Sequence, residues 1–235
     1  MIQKFLQRYR EAFGDGVPLP VAFGYSDTPV EEIRKIPRCM IGAIRKVCDG
    51  QALTLSVLCG GGGLYTRFAP MQERIPRFVS EQEHYKQTPE QVKTYVSRLG
   101  ISLTEKPYLN FVRMDKLASL NEVEGILFFA TPDVLSGLCS WAFYDNDADD
   151  AVCTRFASGC CSIVTFAVNE NRKQGRSCFI GMLDPSARPL VPANELTFVI
   201  PMHRFNEMMQ TMEQSALFQK AYSIVRKRIN GEIGK

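Results

Sequence analysis

An apolar run that ends in a cysteine and four glycines, LTLSVLCGGGG at residues 53–63, constrains the fold of this chain most strongly. The run has the length of a buried strand. A cysteine-led apolar segment at 37–50 precedes it and predicts a helix that ends at Gly50. Before that helix, PVAFGYSD at 20–27 predicts another strand. The order is that of a β-α-β unit, in which strands are parallel and ligands gather at their carboxyl ends.

Apolar periodicity predicts further elements on both sides of this unit. Segments 72–87 and 88–100 are interpreted as helical and as a lid or side layer. Other expected helices cover 2–13, 28–37, 132–145 and 151–169, followed by two at the C-terminus, and other expected strands cover 108–114, 125–131, 177–183 and 195–200. The strands at 108–114 and 125–131 are expected to be neighbours in the sheet. We predict one domain over residues 1–235, of mixed α/β class, with a mixed sheet covered by helices.

A weak internal repeat relates residues 18–64 to residues 125–190. Both segments read as a strand, a cysteine-led apolar helix, a glycine and a second strand. Aligning Gly50 with Gly175 places Cys59 opposite Asp184. The similarity leaves duplication and chance open. Duplication would make two related β-α-β halves, with two strand ends meeting near a pseudo-twofold axis.

Composition excludes some classes of protein. The chain has 28 basic and 25 acidic side chains and a net charge of +3, without the dense basic face of a nucleic-acid binder. It has no run of about 18 apolar residues that would span a membrane, and its start lacks the apolar core of a signal peptide. We therefore expect a cytoplasmic protein whose eight cysteines are mostly reduced thiols. Homo-oligomerisation stays open.

Several ordered segments carry a resemblance to a known family. They are CMIGAIRKVCDG (39–50), CGGG (59–62), RFASGCCSIVTFAVNENRKQGRSC (155–178) and NELTFVIPMHRFNEMMQTME (194–213). Together they resemble the proteins grouped as domain of unknown function 169, also called ArCR. The resemblance implies no catalytic residues. Relatives place a cysteine and glycine cluster where this chain has GMLDPSAR (181–188), so it also implies that a cysteine site of the family is incomplete here.

The glycine run is the first candidate site. Successive amides at Gly60, Gly61, Gly62 and Gly63 can point at one anion, as in backbone nests that hold phosphate or carboxylate groups. Arg67 and the facing turn from Asp184 to Arg188 complete the predicted site for a small anionic ligand or cofactor. The cofactor is unknown, because the chain lacks the P-loop and dinucleotide signatures. A purely structural tight turn is the alternative.

Cysteines are the second group of candidates. Cys59 is the best candidate for chemistry, although the sequence leaves open whether the protein is an enzyme. Cys39, Cys160 and Cys161 lie near predicted helix N-termini, where the helix dipole lowers a thiol's pKa. With Cys59 they are weak candidates for a soft-metal or iron–sulfur site. Packing as small buried side chains is the competing interpretation.

A noncatalytic accessory or regulatory protein is the alternative function. Such a protein would bind a protein partner through the same pocket or through the C-terminal helices, whose methionines at 202, 208, 209 and 212 more often fill a core. A deep pocket that collects Cys59, Arg67 and Arg188 would favour an enzyme. An exposed apolar patch elsewhere would favour the accessory protein. His84, His203 and the acidic segment at 145–150, read as a helix start, are weaker candidates.

Overall fold

The fold was established from a computed structural model that describes residues 1–33, 36, 39–59 and 62–233, without the side chain of Cys59. Within these residues, seven strands form one mixed sheet and helices pack on both of its faces. The predicted fold class is confirmed. None of the helices in these ranges is both long and apolar enough to cross a membrane.

The elements have the following bounds. The strands are β1 (Val21–Ser26), β2 (Leu53–Leu55), β3 (Tyr108–Arg113), β4 (Gly125–Ala130), β5 (Val152–Thr154), β6 (Cys178–Gly181) and β7 (Leu196–Pro201). The helices are α1 (Ile2–Phe13), α2 (Ile41–Lys46), α3 (Ile75–Arg77), α4 (Pro89–Arg98), α5 (Pro132–Tyr144), α6 (Phe166–Arg172), α7 (Met202–Thr211) and α8 (Lys220–Ile229). One π-helical turn, Phe78–Gln82, extends α3, and another, Cys161–Thr165, leads into α6.

The first three strands form a split β-α-β unit rather than the predicted adjacent one. The sheet order is β2-β3-β1-β4-β7-β6-β5. β3 pairs antiparallel with both β1 and β2, so these two strands run parallel to each other with β3 inserted between them. The prediction that the strands at 108–114 and 125–131 are neighbours was wrong, because β1 lies between β3 and β4. The strand order depends on pairing between segments that are distant in the sequence, so local periodicity does not predict it.

The second half of the sheet repeats this arrangement. β7 pairs antiparallel with both β4 and β6, so β4, β7 and β6 correspond to β1, β3 and β2. β1 and β4 join the halves through an antiparallel pairing from Val21 opposite Leu127 to Phe23 opposite Gly125. The strands of the predicted repeats, 18–64 and 125–190, therefore take corresponding places. A common origin of the halves stays a prediction.

Alternate residues of the strands face two separate cores. On one face, α1, α5, α7 and α8 cover the sheet, and Phe5 of α1 stacks on Trp141 and meets the edge of Phe205. On the other face, α2 and the Cys161–Thr165 turn with α6 cover β1, β3 and β4. Met202, Met208 and Met212 are buried in the first core, which confirms the core interpretation of these methionines.

Other local predictions were only partly correct. The helix expected over 37–50 is α2 from Ile41 to Lys46 followed by a 3-10 turn, Val47–Asp49, which Gly50 ends with a positive φ of 99°. The described residues 28–33 are not helical, and 72–87 holds only short turns around α3. Residues 152–154 form an edge strand parallel to β6 instead of beginning a helix. The acidic segment 145–150 forms a turn between α5 and β5 rather than a helix start.

Candidate functional site

An apolar cavity of about 270 Å³ lies beneath α4 and the helical turns around α3. Its other walls come from residues 156–160, just before the Cys161–Thr165 turn, and from the loop that follows β6. The cavity is therefore built from both halves of the chain, on the sheet face that carries α2 and α6. Five aromatic side chains line it: Tyr65, Phe78, Tyr85, Tyr95 and Phe156.

The sequence of α4 explains how one wall is positioned. Thr88 caps the helix by accepting a hydrogen bond from the Gln91 amide at 3.2 Å. Val92 and Tyr95, three residues apart, then share the helix face toward the cavity. The Tyr95 hydroxyl donates to the Phe156 carbonyl at 3.3 Å. This bond ties α4 to the opposite wall.

Asp184 organises the polar side of the cavity. Its carboxylate is buried and accepts hydrogen bonds from the Tyr85 hydroxyl at 3.1 Å and from the amide and hydroxyl of Ser186 at 2.9 and 2.7 Å. The other carboxylate oxygen accepts from the Gly159 amide at 3.3 Å. Asp184 thus joins the loop after β6 to Tyr85 and to the segment before α6. Its contacts fix the shape of the cavity.

Glu83 is the second carboxylate at the cavity. Its side chain is half-buried and forms no hydrogen bond or ion pair with the part of the chain that the structure describes. Burial raises the pKa of this carboxyl, and the negative charge of Asp184 raises it further. Lys86 supplies the one ammonium group among the described lining residues, and its Nζ lies 5.6 Å from the centroid of the Tyr95 ring.

Two of the predicted cysteines reach the cavity. Cys39 lines it at an exposed position, and Cys160 lines it as a buried residue. Burial raises the pKa of Cys39 and raises that of Cys160 to about 12. Burial also raises the pKa of Cys161 to about 12, and the sulfur of this residue lies 4.0 Å from the Tyr95 hydroxyl. The expected lowering of these pKa values by helix dipoles was wrong, because desolvation is the larger effect.

The cysteines do not assemble a metal site within the described ranges. No group of three or more histidine, cysteine, aspartate or glutamate side chains there could hold a metal ion. The side chain of Cys59, together with Gly60 and Gly61, lies outside the described residues. The seven other cysteines are free thiols.

The described part of the glycine run is a packed turn. A Cβ atom on Gly62 would lie 2.3 Å from the Met40 Cε and 3.4 Å from the Cys160 sulfur, so a side chain at this position would displace Met40. The carbonyl of Gly63 accepts hydrogen bonds from the amides of Phe68 and Ala69 at 2.9 and 3.1 Å. These contacts place the end of the run behind the wall that carries Cys160.

The two predicted arginines are engaged elsewhere. Arg67 is fully buried and donates to the Ser102 carbonyl at 2.8 Å and to the side chain of Asn169. Burial lowers its pKa. The Arg188 guanidinium donates to the carbonyls of Ala193, at 2.7 Å, and Glu195. Neither residue lines the cavity, so the structure brings Asp184 together with Cys39 and Cys160 at the cavity but places neither guanidinium group there.

Sequence reasoning missed the aromatic wall. Phe78, Tyr85 and Tyr95 all fall in the segments interpreted as a lid or side layer, and Phe156 falls in a stretch predicted as helix. The available signal was the recurrence of aromatic residues along a segment rich in charged residues.

Comparison with known proteins adds the family. The structure is that of a mixed α/β protein with two split β-α-β halves and an aromatic cavity to which both halves contribute residues. The sequence model of the family DUF169, described as uncharacterised ArCR, matches residues 19–211, and the chain belongs to this family. No curated protein and no solved structure matches the chain significantly.

Proposed function

We propose that the protein binds a small organic molecule in the cavity beneath α4. The observation that carries the proposal is the cavity itself, about 270 Å³, with an aromatic and aliphatic wall and polar groups on one side. Small-molecule sites typically combine an apolar lining with a few polar groups that orient the ligand. The hydrogen bonds of Asp184 to Tyr85, Ser186 and Gly159 support a pocket that is formed before the ligand arrives.

The described residues support binding more than catalysis. Cys39 and Cys160 are the described thiols that line the cavity, and the raised pKa of each leaves little thiolate near neutral pH. The sequence predicted an anionic ligand held by Arg67 and Arg188. Both guanidinium groups instead donate to main-chain and side-chain oxygens elsewhere. We therefore propose a small ligand without assigning it the negative charge that the sequence predicted.

A blocked cavity tests the proposal. Val79 lines the cavity and is half-buried, so Val79→Trp should fill the space with an indole ring while the fold is kept. A library of neutral, cationic and anionic aromatic fragments is screened by ligand-observed NMR against the wild-type protein. We expect fragments that compete with one another for one site, and we expect Val79→Trp to abolish their binding.

Ile224→Trp is the matched control. Ile224 lies on α8, on the opposite face of the sheet, and its side chain is 69% exposed, so the new indole should project into solvent. Fragments should bind this variant as they bind the wild type. Equal binding to the Val79→Trp variant, or no competing fragments at all, would contradict the proposal, provided that both variants keep the wild-type melting temperature.

A further inference from the structure

The cavity combines two features that together select for one kind of charge. Its wall carries five aromatic rings, and two of them, Tyr85 and Phe156, pack edge to face with centroids 5.6 Å apart. The carboxylates of Glu83 and Asp184 also reach it, against the single ammonium group of Lys86. Aromatic ring faces and carboxylates both attract cations and repel anions.

The two carboxylates differ in whether they already accept hydrogen bonds from the protein. Asp184 already accepts hydrogen bonds from Tyr85, Ser186 and Gly159. Glu83 has no such partner among the described residues, and the charge of Asp184 acts on it unfavourably. A positively charged group beside Glu83 would offset that repulsion. A neutral ligand would leave the charge unpaired, and an anionic ligand would add to the repulsion.

The chain already shows how an ammonium group is accommodated here. The Nζ of Lys86 lies 5.6 Å from the centroid of the Tyr95 ring, within the usual range of a cation–π contact. This contact is independent of the two carboxylates. It demonstrates that a ring of this wall presents a face that an ammonium group can reach.

We infer that the ligand is an organic ammonium compound: a protonated amine on an aromatic or aliphatic body. The apolar body would occupy the space between α4 and residues 156–160, and the ammonium group would lie beside Glu83 and the aromatic rings. This inference rests on the proposed function and adds the sign of the ligand's charge. Lys86 would compete with the ligand for the Tyr95 ring.

Three probes with one scaffold and different charges test the inference. They are 2-phenylethylamine, 2-phenylethanol and 3-phenylpropanoate, each titrated into the wild-type protein and followed by NMR chemical shifts. We expect the amine to bind about tenfold more tightly than the alcohol, since cation–π and charge contacts in a desolvated site have about that strength. The carboxylate should bind most weakly. Equal affinities of amine and alcohol, or a preference for the carboxylate, would overturn the inference and leave small-molecule binding intact.

Two variants locate the charge recognition. Glu83→Gln should weaken the amine severalfold and leave the alcohol unchanged, whereas Lys86→Met should strengthen the amine. Glu81→Gln is the control, because Glu81 is exposed on the π-helical turn that Glu83 directly follows and does not line the cavity. Equal effects of Glu83→Gln and Glu81→Gln would contradict the inference. Binding of none of the three probes would also overturn it, and the Val79→Trp experiment would then decide the proposed function alone.

Discussion

At the scale of single residues, Arg204 is fully buried, and its hydrogen-bond and ion-pair partners compensate the cost of burying its charge. Its guanidinium donates to the Asp145 carboxylate, to Glu207 at 2.9 Å and to the Ala142 carbonyl at 3.1 Å. Burial by itself would raise the pKa of Asp145, but hydrogen bonding and charge from Arg204 hold this pKa below its ordinary value. The ion pair fastens α7 to the end of α5.

Asp145→Asn should therefore destabilise the protein and change its acid sensitivity. Because the folded pKa is depressed, the ionised Asp145 contributes stability above its unfolded pKa, about 3.9, and this contribution is lost as the pH falls through the folded pKa. We expect a loss of about 1–3 kcal/mol in the free energy of unfolding at pH 7 and a smaller difference near pH 3. Urea unfolding at both pH values measures this. The exposed Asp147→Asn is the control, and an equal loss at both pH values would contradict the argument.

Asp184 and Arg67 show which part of the site could be predicted from the sequence and which part could not. The sequence placed Asp184 in a site, and the structure puts it at the cavity together with Cys39 and Cys160. It also assigned Arg67 to the ligand, yet the guanidinium is buried against Ser102 and Asn169. Whether an arginine meets a ligand or a carbonyl depends on segments about 35 and 102 residues away. The sequence around Arg67 does not predict those contacts.

At the scale of elements, α4 carries one wall of the cavity, and the Thr88 side chain caps its N-terminus. Thr88 accepts a hydrogen bond from the Gln91 amide, and the Gln91 side chain accepts one from the Gln87 amide at 2.9 Å. Thr88→Ala should lower the free energy of unfolding by about 1 kcal/mol. It should also speed amide hydrogen exchange within α4 more than within α5.

Thr94→Ala is the matched control for the cap. Thr94 lies exposed in the middle of the same helix, where alanine has the higher helix propensity. We expect this variant to be as stable as the wild type or slightly more stable. If the two threonine variants lose the same stability, the cap does not stabilise α4.

Elements with strong local patterns were predicted well. β1, β4, α5 and β7 follow their predicted ranges closely. Short, largely apolar runs mark the three strands, and helical apolar spacing with a proline at the first helical position marks α5. β5 was missed, since its three residues precede a long apolar helix and are stabilised by parallel pairing with β6. The insertion of β3 between β1 and β2 was not predictable for the same reason: it depends on pairing across more than fifty residues.

At the scale of the whole molecule, the seven described thiols are free and differ in exposure. Cys39 is exposed and two thiols are half-buried, whereas the buried group comprises Cys48, Cys160, Cys161 and Cys178. Among the seven described thiols, we expect N-ethylmaleimide to label Cys39 first in the native protein, and to label the buried group only on unfolding. Peptide mass spectrometry after timed labelling measures the order. Early labelling of Cys178 would contradict the packing described for the core.

The same distribution predicts how the melting temperature responds to reductant. Because the described cysteines form no disulfide, melting curves with and without a thiol reductant should coincide. Differential scanning calorimetry under both conditions checks this. A large fall in melting temperature on reduction would indicate a stabilising disulfide and would contradict the expectation.

The junction between β1 and β4 has a consequence for the order in which the protein is completed during translation. The ribosome finishes β1, β2 and β3 before β4 exists, so one edge of β1 stays unpaired while the next segment is made. The cavity needs residues 156–160 and 184–186 as well as α4, so a nascent chain has no complete pocket until most of its length has emerged. The ligand binding that we propose would therefore be acquired late by the growing chain, after β1 has paired with β4.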